Sequence, residues 1–132
     1  MLQNQYERYQ QNAVFTSSPG ELTLMLYNGC LKFIHLAKKA IENHDIESKH
    51  VNISKAQNII TELIVTLNLD YSIAKEMRNL YDYINRRLID ANIKNDRGIL
   101  DEVEELVVDF RDTWKEVIVI NRKKQFKTSG QA

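Results

Sequence analysis

A single proline, Pro19, and four scattered glycines in 132 residues leave little to interrupt a helix, and the proline stands at the start of an apolar run rather than inside one. So few glycines also build no phosphate-cradling loop. With one cysteine, Cys30, no intramolecular disulfide can form, and its place on an apolar helical stripe reads as a small buried hydrophobe rather than a reactive thiol. Charge of one sign is missing as well: Lys plus Arg and Asp plus Glu are both 18, so no net field draws the chain to nucleic acid or anionic lipid. No apolar run approaches the roughly 20 residues of a membrane span, and MLQNQYERYQQN lacks the basic start and apolar core of a signal peptide, which predicts a cytoplasmic protein without membrane insertion. Histidine is scarce, and Glu47 to His50 supplies half of the ligand pattern that a di-metal bundle site needs. Without a Ser, His and Asp set or inward-facing carboxylate pairs, the expectation is no catalytic residue, no metal and no cofactor.

Amphipathic helix is what the chain has in quantity. Ser18 can cap, Pro19 fits the first helical position, and Glu21 completes a capping box, so a helix opens here and runs to about Asn43. A fresh cap at Asp45 starts a second helix, with Ile53, Ala56, Ile60, Leu63 and Leu67 on one face and an end near Asn68. Ile73, Met77, Leu80, Ile84, Leu88 and Ala91 mark a third, ending near Asn95. Asp96 caps the fourth, whose buried face carries Leu100, Val103, Phe110, Trp114 and Val117. Short connections force consecutive helices antiparallel. The predicted fold is all-α, an antiparallel up-down-up-down four-helix bundle in a single domain. Residues 1–16 form an N-terminal arm, 17–121 the bundle, and 122–132 a basic, disordered C-terminal tail.

Residues 22–36 hold more apolar surface than one buried face uses, since ten of these fifteen residues are apolar and a bundle helix buries about three positions in seven. Leu22, Met25, Leu26, Cys30, Phe33 and Ala37 are assigned to the core, and Leu24, Tyr27, Leu31 and Ile34 to a second stripe. Ile59, Ile64 and Val65, together with Tyr81 and Tyr83, lie off the core stripes of their own helices. Patches of this kind meet a partner: the chain's own arm, a second copy in a homodimer, or a foreign helix laid in a groove. A bundle scaffold or homodimeric interaction protein without export cargo is the alternative to a cargo-binding module.

The run PGELTLMLYNGCLKFIHLA resembles the signature of the flagellar secretion chaperones, the FliS family. Three further segments match in order: KAQNIITEL, LYDYINRRLIDANIKND and VDFRDTWK. The resemblance implies an export chaperone that binds the disordered C-terminal segment of flagellin, prevents its premature polymerisation and delivers it to a gate component of the flagellar type III export apparatus. Carried onto matching positions, it implies that Tyr9 of the arm caps the groove with support from Tyr6. Leu24, Tyr27, Leu31, Leu63, Tyr81 and Tyr83 would form the groove walls.

Overall fold

The computed structural model describes residues 19–130. Four helices follow one another: α1 (Pro19–Glu42), α2 (Ile46–Thr66), α3 (Ala74–Lys94) and α4 (Arg97–Gly130). Each packs on the helix before and after it, and α4 closes the ring against α1, which gives the expected antiparallel bundle.

Two of the three turns share one construction. After α1, His44 takes a left-handed conformation (φ 57°), its N–H reaches the Ile41 carbonyl at 3.1 Å, and the Asp45 N–H reaches the Ala40 carbonyl at 2.8 Å. After α3, Asn95 is left-handed (φ 51°) and the Asp96 N–H reaches the Ala91 carbonyl at 3.2 Å. These bonds satisfy carbonyls that a helix end would otherwise leave open. An aspartate then starts the next helix: Asp45 Oδ1 accepts from the Ser48 N–H at 3.0 Å, and Asp96 Oδ1 from the Ile99 N–H at 3.3 Å. Both turns are tight because helix end and helix start occupy adjacent residues. Lys49, buried beneath them, donates to the Asn92 carbonyl at 2.8 Å and to Asn95 Oδ1. Its ammonium thus sits at the negative end of α3, the favourable end for a cation.

The third turn, between α2 and α3, is built differently. Residues 67–73 form an irregular connection in which the Asp70 N–H donates to Asn68 Oδ1 at 3.0 Å, and α3 begins at Ala74. Ile73, expected within the third helix, precedes it as an N-cap without a side-chain cap bond. The fourth helix does not stop near Asn121 but stays helical to Gly130. The reason lies in the sequence, which places no glycine or proline between Gly98 and Gly130.

The core corrects the face assignments. Tyr27 and Ile34, assigned to a surplus stripe, are fully buried with Cys30 and Ala37, and Tyr81 is buried with Ile84, Leu88 and Ala91. Leu80, assigned to the buried stripe of α3, is exposed. Cys30, Ala37, Ile84, Leu88 and Ala91 are buried as assigned, so in α1 the buried arc spans parts of both apolar stripes. Phe110 and Trp114, expected in the core, pack against it only partly buried. Cys30 is enclosed as expected, and burial pushes its thiol up to about 12. On the α1 to α4 seam, Lys38 pairs with Asp101 at 2.7 Å and Glu104 at 3.0 Å.

Candidate functional site: an apolar cavity at the end of the bundle

The long α2 to α3 connection does more than join two helices. Opposite the tight turns it holds α2 and α3 apart, and an apolar cavity of about 430 Å³ opens there. Gly20, Thr23 and Tyr27 of α1 line it, with Leu63 and Thr66 of α2, Ala74, Met77 and Tyr81 of α3, and Trp114 of α4. Leu67, Asn68, Tyr71 and Ile73 of the connection complete it. This volume lies in the range of roughly 300–1,000 Å³ usual for ligand sites. At the mouth, Tyr71 is 67% and Ile73 60% exposed, and Leu69 stands out beside them.

Aromatic residues build the floor. The Tyr27 and Tyr81 hydroxyls meet at 2.5 Å, with the residues only 1% and 2% exposed. Phe110 stacks on Tyr27 at 5.9 Å between ring centroids and tilts on Tyr81 at 5.1 Å. Such contacts add about 0.5–1.5 kcal/mol each beyond the area buried. Trp114 ties α4 to the start of α1, its Nε1–H donating to the Gly20 carbonyl at 2.7 Å.

Burial raises the pKa of both tyrosines above the ordinary value. The shared hydrogen bond raises Tyr81 further and partly offsets the rise in Tyr27. A folded pKa above the unfolded value of about 10 contributes stability in full below that pH, and the contribution is lost as pH rises through the folded value. An alkaline titration followed by tyrosinate absorbance should therefore show Tyr27 and Tyr81 ionising only together with the loss of helical circular dichroism. Ionisation of all tyrosines before any loss of helix would contradict the enclosed pair.

Of the residues expected to hold a partner, three converge on this cavity: Tyr27, Leu63 and Tyr81. They form floor and inner wall rather than open groove. Leu24 and Leu31 are half-buried elsewhere along α1. Tyr83 lies on the exposed side of α3, and its hydroxyl donates to Glu102 at 2.5 Å, beside the Arg87 guanidinium that also holds that carboxylate. That hydrogen bond holds Glu102 below the usual carboxylate range. Tyr6 and Tyr9 lie outside the described residues. Sequence reasoning missed Met77, Tyr71 and Ile73 as cavity residues, since it places Ile73 and Met77 on the core stripe of the third helix, while the structure leaves 67–73 as a connection that carries Leu69, Tyr71 and Ile73.

Among the described residues no helix is long and apolar enough to cross a membrane, and no cluster of His, Cys, Asp and Glu could hold a metal ion.

Comparison with known proteins places this arrangement. The family described as flagellar protein FliS matches residues 2–121. The flagellar secretion chaperone FliS of Bacillus subtilis is 58% identical over 131 residues, covering 99% of this chain and 98% of that protein. Its namesake in Salmonella typhimurium is 35% identical over 111 residues, covering 81% and 82%. A crystal structure of a flagellar chaperone from bacteria superposes with a TM-score of 0.72 at 20% identity, covering 89% of this chain and 98% of that one, and so shares the fold. The chain belongs to the FliS family of flagellar secretion chaperones.

Proposed function

We propose that this chain binds the disordered C-terminal segment of flagellin in the cytoplasm, one chaperone to one cargo, and presents it to a gate component of the flagellar export apparatus. The observation that carries the reading is the apolar cavity at the end of the bundle, with Tyr71 and Ile73 exposed at its mouth. An apolar opening of this kind suits a segment that folds as it binds, anchored by side chains three and four residues apart. Ordering the cargo costs several kcal/mol, which lets a wide contact remain releasable. Covering the same cargo face keeps flagellin copies from pairing early.

The arm is proposed as a lid. Residues 1–16 supply it, with Tyr9 as the capping side chain and Tyr6 in support. A lid that occupies the site lowers apparent cargo affinity by the fraction of time it is closed. Calorimetric titration with a flagellin C-terminal peptide should thus show tighter binding to a chain lacking residues 1–16 than to the full chain. Weaker binding after the deletion would make the arm part of the cargo contact instead. Light scattering of the free chain across a dilution series addresses the homodimer: a cavity closed by a second copy requires a dimer that peptide disperses.

A further inference from the structure

Resting on the cargo-binding reading, we propose that the cavity floor selects for one cargo residue of stated chemistry: an asparagine or glutamine whose side-chain amide carbonyl accepts a hydrogen bond from the tyrosine pair. Each tyrosine hydroxyl carries one proton and two lone pairs. Two hydroxyls 2.5 Å apart use a single proton between them, whichever donates. The second proton finds no acceptor among the described residues, although both rings are almost completely enclosed and both line the cavity. A buried donor left unmatched carries a desolvation penalty, and an oxygen brought in by a ligand removes it. The donor is also strengthened by its neighbour, since hydroxyls joined in a chain polarise one another.

The surrounding groups narrow the chemistry. Leu63, Leu67 and Met77 form apolar walls, which suit an aliphatic stem. Two nearby polar groups are engaged: the Trp114 Nε1–H is given to the Gly20 carbonyl, and the Thr66 hydroxyl donates to the Glu62 carbonyl at 2.9 Å. Among the described residues no lysine, arginine or histidine lines the cavity, so a carboxylate entering it would be buried without a counter-charge, whereas a neutral amide avoids that cost. Tyr27 and Tyr81 are only 1% and 2% exposed, so the proposal gives the acceptor to a side chain that enters the cavity.

The test is a double-mutant cycle by calorimetry on the full chain. A flagellin C-terminal peptide, and variants in which each asparagine is changed to leucine or each glutamine to methionine, are titrated into the natural protein and into a chain carrying both Tyr27→Phe and Tyr81→Phe. The double variant should bind the unmodified peptide about 3- to 10-fold more weakly, the value of one hydrogen bond. One peptide variant should lose the same factor against the natural protein and nothing against the double variant. Thermal melting verifies that the double variant is folded, and the peptide variants titrated into the natural protein, whose fold they leave untouched, supply the comparison if it is not. Equal binding by the natural and double-variant chains, or the absence of any coupled peptide position, overturns this proposal alone. No binding of the peptide to the natural chain overturns the cargo reading with it.

Discussion

The Ile73→Asp variant is expected to fold at least as stably as the natural chain while binding a flagellin C-terminal peptide about 30-fold more weakly. The two halves of this expectation have separate physical causes. Ile73 is the N-cap of α3, makes no side-chain cap bond there, and is 60% exposed, so its replacement removes little buried surface. A carboxylate at that position faces the positive end of the helix dipole, worth about 0.3–1 kcal/mol. The same carboxylate stands at the mouth of the apolar cavity. An apolar cargo side chain must then desolvate a charge to enter, a cost of about 2 kcal/mol on the scale of interface hot spots, or about 30-fold in affinity. Circular dichroism melting and calorimetric titration measure the two quantities independently. Undiminished binding with unchanged stability would move the cargo site away from this end of the bundle.

The second large effect concerns the tyrosine pair as structure. Tyr81→Ala should lower the unfolding free energy by about 3–5 kcal/mol, the usual cost of deleting a buried aromatic ring. Here it also removes a ring partner of Phe110 and the hydroxyl partner of Tyr27. Tyr81→Phe isolates the polar part. It leaves the Tyr27 hydroxyl buried without its partner, a penalty of about 1–3 kcal/mol, whereas changing both residues to phenylalanine removes donor and acceptor together and should lie nearer the natural stability than either single variant. Urea unfolding of the four variants reads the difference. Strictly additive losses would mean that the two hydroxyls do not depend on each other.

Much of the bundle could be read along the chain because its signals are local. Asp45 and Asp96 start helices as their types and positions suggest, and each accepts from the N–H three residues on. Pro19 opens α1. Ile53, Ala56, Ile60 and Leu63 keep one face, and it is the buried one. α1 was harder, since apolar residues cover most of its circumference and periodicity alone could not say which arc faced inward. Tyr27 and Ile34 went in while Leu24 and Leu31 stayed half-buried. The candidate site was legible in part for the same reason. Tyr27, Leu63 and Tyr81 are groove positions that the family resemblance implies, but their meeting at one floor, and the use of the 67–73 connection as a rim, follow from how three helices and a loop converge.

Caps, breaks and apolar periodicity along the chain by themselves determined that it forms four antiparallel helices, because each of those signals acts between residues a few positions apart, while the likeness to flagellar secretion chaperones lies in four ordered sequence motifs. Only the tertiary structure decided which apolar groups became core and which became cavity. Burial is shared among helices: Tyr27 and Tyr81 are 54 positions apart in sequence, and their hydroxyls pair only once α1 and α3 face each other across the bundle with Phe110 of α4 packed on both rings.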